Sequence, residues 1–247
     1  MTLKENLEFN FNRILVGAFV LLTVLFFYFL KYDFFFLIII NLLILYDLFK
    51  SNLIIKKNIF YFVVPFLIFY FLIYFFPIFI AIYLAILFFL ILFTFIFKNN
   101  IDYLFSTCIL FFSILFSDLL LNNREIFFLI ILISFVNDTS AYFFGNLIKG
   151  PLIVPTISPK KTWSGTLISF LISFLILYFI GYSILYSSFV SALLFFGDVY
   201  FSFIKRKYNL KDFSNFLSSH GGILDRIDSM FFILIIFQLS IFLNNVS

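Results

Sequence analysis

The stretch SHGGILDRIDS, residues 219–229, gathers the only histidine, His220, a glycine pair, Gly221 and Gly222, and two aspartates three apart, Asp225 and Asp228, around Arg226. Glycines permit close backbone approach or positive φ, and a helix beginning just after them puts both aspartates on one face in its first turns. They are placed to hold a cation together. Upstream, Asp138 in FVNDTSAYFFG shares a helical face with Tyr142 and Gly145. Asp198 in LFFGDVYFSFIKR has Ser202 one turn on and Lys205 and Arg206 near two turns on. Lys160, Lys161 and Lys211 add positive charge. Bases attract phosphates, whereas carboxylates tolerate phosphates only through a metal ion. Magnesium suits such a set, because it takes oxygen ligands, commonly one or two carboxylates with substrate phosphates and water. The chemistry is then phosphoryl transfer, with cations clamping the attacking and leaving oxygens. One Cys and one His exclude a soft-metal site. A phosphate monoester is already mostly ionised near neutrality, its second pKa being about 6. His220 is therefore expected to donate to a phosphate or brace the glycine turn, not to act as a base.

These polar residues stand in a chain of 247 residues that is 64% hydrophobic, 25% aromatic and only 11% charged, far from the soluble range. A bilayer takes about 20 apolar residues per helix, and runs of that kind recur from one end to the other. They predict an all-α polytopic integral membrane protein of about nine transmembrane helices, near 14–30, 34–49, 59–76, 78–97, 102–121, 126–145, 164–184, 186–204 and 225–243. The first run is not expected to be a cleaved signal peptide, since no small-residue cleavage site follows it. Lys and Arg stay on the cytoplasmic side. With the N-terminus cytoplasmic, the inner segments carry all of the 16 Lys and Arg except Lys31 and Arg124, and the acids named above fall in the cytoplasmic half.

Residues 1–97 read as plain N-terminal membrane helices, and 98–247 as a membrane-embedded catalytic region with long basic cytoplasmic loops at 146–163 and 205–224. Cys108, inside an apolar run, offers neither a disulfide framework nor a Cys metal site. Stripes of Phe read as lipid contact. An aspartate within a span costs about 2.5–3.5 kcal/mol at the helix centre, so each calls for a partner. Asp47 and Asp118, near span ends without polar company, read as helix–helix hydrogen bonds or interfacial positions; Asp138 and Asp198 read as functional.

From Ser202 to Asp228 the sequence SFIKRKYNLKDFSNFLSSHGGILDRID resembles the signature of phosphatidate cytidylyltransferases (CDP-diacylglycerol synthases): S-x-x-K-R, four residues, K-D, then H-G-G, two apolar residues and D-R-x-D. Ser202, Lys205, Arg206, Lys211, Asp212, His220, Gly221, Gly222, Asp225, Arg226 and Asp228 match it. NDTSAYFFG, and SPKKTWSG from Ser158, are similar to the family's D-x-x-A-Y-x-x-G and S-P-x-K-T-W-x-G segments. Gly197 and Asp198 stand where the family has Gly-Asp. Ser218 departs from it, the family having Pro or Gly there. The resemblance covers about residues 137–229.

The resemblance implies a polytopic, homodimeric enzyme of the bacterial inner membrane with its active site facing the cytoplasm. It would join CTP to phosphatidate and release pyrophosphate and CDP-diacylglycerol in phospholipid biosynthesis, with no nucleic-acid partner. It further implies Mg2+ held by Asp198, Asp225 and Asp228, and a catalytic part for these three with Lys205 and Arg206. Substrate binding would fall to Asp138, Ser158, Lys160, Lys161, Ser202, Lys211, His220, Gly221, Gly222 and Arg226. A second cation such as K+ stays open, as do acyl-chain preference and the choice of CTP over dCTP. Two rival readings carry less of the sequence. A CTP-dependent polyprenol or phytol-type lipid kinase would attack the γ-phosphorus and release CDP. A cation-coupled transporter would explain acids within spans but not the signature, and no inverted repeat with paired broken helices is seen.

Overall fold

Backbone groups in hydrocarbon find no water, so long apolar runs satisfy their hydrogen bonds internally as helices. The computed structural model describes residues 19–51, 86, 90, 101–217 and 221–246. The expected spans 59–76 and 78–97, and the positions Ser218 and His220, lie outside the described residues. The elements are α1 (Phe19–Leu30), α2 (Asp33–Lys50), α3 (Ile101–Asn122), α4 (Arg124–Ile148), β1 (Leu152–Val154), β2 (Ser158–Thr162), α5 (Trp163–Ile180), α6 (Ile184–Lys207), α7 (Leu224–Ile227) and α8 (Phe231–Val246). Four of them, α3 to α6, are long and apolar enough to cross a membrane. Together they make a predominantly helical membrane protein.

Local chemistry sets the ends. Gly181, at φ 114°, takes the left-handed turn that stops α5, and its N–H and that of Tyr182 return to the carbonyls of Tyr178 and Leu177. Two residues on, the Ser183 hydroxyl accepts from the Tyr186 N–H at 3.3 Å and starts α6. At the far end of the bundle Arg124 pairs with Asp33 at 2.9 Å and donates to the Tyr28 carbonyl. The α1–α2 and α3–α4 turns, which hold Lys31 and Arg124, therefore lie together. The end of α2 and the end of α6 meet at the opposite pole.

Three features depart from the sequence reading. The 225–243 span is broken: a single turn, α7, is followed by residues 228–230 before α8 starts. The break lets the backbone carbonyls of Asp228 and Ser229 lie against Gly197 of α6, so closely that a Cβ there would overlap the Asp228 carbonyl. The loop at 146–163 is not irregular, since β1 and β2 pair in antiparallel fashion, Leu152 opposite Thr162 and Val154 opposite Ser158. Finally, much of the Phe is not lipid contact. Phe105, Phe112, Phe116, Phe127, Phe201, Phe213, Phe231 and Phe237 are fully buried between elements. Phe105 stacks on Phe213 at 5.7 Å, and Phe112 lies 4.9 Å from Phe231. Close ring packing fills the gaps between helices that apolar lipid would otherwise compete for.

The two poles give a test of topology. In a Cys108→Ser background, Glu125→Cys and Asn215→Cys, both exposed positions, are expected to react with a membrane-impermeant thiol reagent from opposite sides. From charge sorting, position 215 is expected to label from the cytoplasmic side. Labelling of both positions in sealed cells would contradict the arrangement.

Candidate functional site

The site is built where α6 ends. Helix α6 carries Asp198, Ser202 and Lys205 on one side, and its last turn is basic, with Lys205, Arg206 and Lys207 facing the negative end of the helix. Lys205 is buried, its ammonium 2.7 Å from Asp225 Oδ1 and 3.9 Å from Asp228 Oδ2. The second oxygen of Asp225 accepts from the N–H groups of Phe213 at 3.0 Å and Gly222 at 2.9 Å. One carboxylate thus gathers α6, the loop that follows it and the glycine pair. Gly221, at φ 76°, makes the turn in which a side chain would run into that carboxylate.

Beside this ion pair lie the other acids. Asp228 is buried, and its Oδ1 accepts from the Ser229 N–H at 2.8 Å. Ser229 Oγ sits 3.4 Å from Asp138 Oδ2 and 2.5 Å from Ser134 Oγ, linking α4 to the α7–α8 break. The charges of Asp198, Arg226 and Lys161 act on Asp138, and those of Asp198, Lys205, Asp138 and Asp225 act on Asp228. Four carboxylates from α4, α6 and the α7 segment therefore share one field with three cations. Asp198 is the most open of the acidic group, its side chain 32% exposed, with Ser202 Oγ at 3.5 Å.

The hairpin reaches the same place. Lys161 on β2 puts its Nζ 2.5 Å from Asp198 Oδ2 and 5.4 Å from the centre of the Phe195 ring, so one side of this buried ammonium is taken by the carboxylate and another lies over the ring. Arg206 bonds to the carbonyls of Ile157 at 3.0 Å and Leu210 at 2.8 Å, joining the hairpin to the loop after α6. Ser158 is half-buried at the start of β2; Lys160 and Lys211 are exposed, and Ser202 is buried.

Next to Lys161 and Asp138, an apolar cleft of about 170 Å³ opens between α5 and α6. It is lined by Asn137, Trp163, Phe170, Ser191, Phe195 and Phe196, among others. The Ser191 hydroxyl inside it has no hydrogen-bond partner among the described residues.

Of the residues named from sequence, Asp138, Lys161, Asp198, Ser202, Lys205, Gly221, Gly222, Asp225, Arg226 and Asp228 are brought together. Arg206 is adjacent as a strut. Sequence reasoning missed Ser229, Phe213, Ser214 and Asp47. The carboxylate of Asp47 takes the Ser214 hydroxyl at 2.6 Å and the Leu224 N–H at 2.8 Å. Its partners are remote in sequence, which is why it read as lacking polar company. Asp118 is held by Asn122 at 2.9 Å and by Gln238, a helix–helix contact of the kind expected.

Among the described residues no three His, Cys, Asp or Glu converge closely enough to enclose a metal ion. The donor chemistry is nonetheless that of a hard cation bound by one or two carboxylates and completed by phosphates and water. Asp198, with a side chain 32% exposed, and Asp228, whose oxygens meet one amide and a lysine at 3.9 Å, are less tightly held than Asp225, which binds an ammonium at 2.7 Å and two amides.

This is a membrane-embedded site of paired acids and bases beside an apolar cleft. The sequence model of the cytidylyltransferase family matches residues 2–243, and the chain belongs to that family. Similar curated proteins are named phosphatidate cytidylyltransferase. One from Rickettsia conorii is 33% identical over 49% of this chain and 60% of its own length. One from Helicobacter pylori strain 26695 is 38% identical over 43% of this chain and 42% of its own length. One from Brucella abortus is 32% identical over 38% of each. The chain thus spans at most 60% of the length of these relatives in the matched stretch.

The two ionic contacts differ in kind, and so should their loss. Asp225→Asn leaves buried Lys205 with only the more distant Asp228 carboxylate, at 3.9 Å, and weakens two amide contacts, so it is expected to lower stability by about 3–5 kcal/mol. Asp198→Asn removes the partner of the Lys161 ammonium at a more open pair, Asp198 being 32% exposed, and is expected to cost less, about 1–3 kcal/mol. Thermal unfolding of both variants in detergent checks this; equal losses would contradict the assignment.

Proposed function

We propose that the chain is a phosphatidate cytidylyltransferase that transfers CMP from CTP to phosphatidate, giving CDP-diacylglycerol and pyrophosphate. The observation that carries this reading is the buried Lys161 ammonium, paired on one side with the Asp198 carboxylate and set beside an apolar cleft. An ammonium has three donors, and those not turned to Asp198 suit phosphate oxygens. The cleft beside it suits the apolar part of a lipid whose headgroup reaches the charged site. Membership of the family and the names of the relatives point the same way.

In this reading an ionised phosphatidate oxygen forms a bond to the α-phosphorus of CTP, and the bond from that phosphorus to the β-bridging oxygen breaks, releasing pyrophosphate. No base is required, since the attacking phosphate monoester carries most of its second charge near neutrality, with a pKa of about 6. Lys161, Arg226, Lys160 and Lys211 neutralise and orient the triphosphate. Lys205 fixes Asp225 and Asp228, and Arg206 sets the spacing of the two loops. Mg2+, when bound by Asp198 and Asp228, with Asp225 behind them, supplies charge neutralisation at the reacting phosphates. We read the protein as a homodimer of the bacterial inner membrane. Its site faces the cytoplasm, on the side to which the Lys and Arg are sorted and where CTP is found.

The test follows the label. With purified protein, α-labelled CTP is expected to enter the lipid fraction only when phosphatidate and Mg2+ are both present, with pyrophosphate in equal amount. Release of CDP would instead identify a kinase. Asp198→Asn is expected to reduce turnover about a hundredfold to a thousandfold, with partial recovery at high Mg2+. Lys161→Met is expected to act mainly on KM. Unaltered turnover in Asp198→Asn would remove that residue from the site.

A further inference from the structure

Asp47 lies in the last turn of α2, more than 150 positions from its partners in the loop after α6, and its side chain is fully buried. Its position is unfavourable twice over. A carboxylate near a helix C-terminus faces the negative end of the helix, and burial strips it of water. The charge of Asp225 also acts on it. Something must offset these costs.

Ser214 donates to one oxygen at 2.6 Å and in turn accepts from the Phe216 N–H at 3.2 Å, which fixes the course of the loop. The Leu224 N–H donates to the other oxygen at 2.8 Å, one residue before Asp225. Gly222 lies so close that a Cβ built on it would overlap the Asp47 carboxylate. The loop is therefore clamped by two acids: Asp47 holds residues 214 and 224, and Asp225 holds 213 and 222.

We propose that Asp47 is a positioning residue for the site: by binding Ser214 and Leu224 it sets the register of the loop and so places Asp225 against Lys205. This also gives Gly222 a role, that of leaving room for a carboxylate from another helix. The proposal concerns loop placement; only its turnover arm rests on the cytidylyltransfer reading.

Backbone hydrogen exchange and kinetics together test it. Asp47→Asn keeps shape but presents an NH2 group to one of two donors. It is expected to speed exchange at Phe213, Phe216 and Leu224 by about tenfold to a hundredfold, the loss of a hydrogen bond to a charged group. The amides of α3 and α4 should be unchanged. Turnover should show a fall in kcat of similar size with KM for both substrates within about threefold. Asp47→Glu keeps the charge but not the fit beside Gly222 and should not restore kcat.

Gly222→Ala should reproduce the defect, and combined with Asp47→Ala it should lose no more than the worse single variant, because both break one clamp. Should the Asp47 variants fail to accumulate in the membrane, Ser214→Ala decides through exchange at Leu224, whose amide bonds Asp47 and not Ser214. Unchanged loop exchange, or fully additive losses in the double variant, would overturn the proposal. If the parent makes no CDP-lipid while loop exchange responds as stated, the functional reading fails and the positioning role stands.

Discussion

The buried pair between Lys205 and Asp225 is the contact on which the rest of the site depends. A lysine near the end of an apolar helix cannot keep its charge in a dry interior unless an acid is held against it. Here the acid comes from the segment after the glycine pair, and it must be presented by a backbone with no freedom to drift. That requirement accounts for the neighbouring features: the left-handed Gly221, the two amides bound to Asp225, the stacking of Phe213 on Phe105, and the second carboxylate on α2. The loop is long, yet it is tied down by charge on one side and by aromatic packing on the other.

The site also brings together two solvents. Its acids and bases lie at one pole of a helical bundle, where water can reach Asp198, whereas the cleft between α5 and α6 is walled by Trp163, Phe170, Phe195 and Phe196. Phe195 belongs to both, since its ring lies under the Lys161 ammonium. A cation over a ring remains close to apolar surface at modest cost. Asn137 spans the same boundary from α4, lining the cleft while its amide lies 3.5 Å from Asp138 Oδ1.

Much of this was legible in the sequence for identifiable reasons. Helices α2 to α6 fall within four residues of the expected spans because hydrocarbon leaves a long apolar run no alternative. Asp198, Ser202 and Lys205 were legible because helical spacing alone puts them together. Asp225 and Asp228 were legible as neighbours, although the helix that carries them stops after one turn. The stop depends on packing against Gly197, a contact between segments that no local pattern records. Asp47 was hidden for the same reason, its partners being distant in the chain. The β-hairpin escaped notice because β1 is only three residues long and β2, SPKKT, lacks the alternation that marks a half-buried strand. Phe divides between exposed positions such as Phe29 and Phe179 and buried ones such as Phe105 and Phe231, a division that composition cannot draw because it does not tell a ring on the outer face from one packed on another ring.

Arg206 and Lys161 have a consequence for how such a protein can vary. Surface loops ordinarily accept added or deleted residues, because nothing fixes the distance between their ends and any distant point. Here Arg206 is bonded to the backbone of the hairpin and to that of the following loop, while Lys161 is paired with α6. A residue added between Ile157 and Lys161 would pull the two out of step, since both are anchored on α6, by Arg206 and by Asp198. The spacing of those two hairpin positions is therefore fixed by the spacing of their anchors on one helix, a constraint that a surface loop ordinarily escapes.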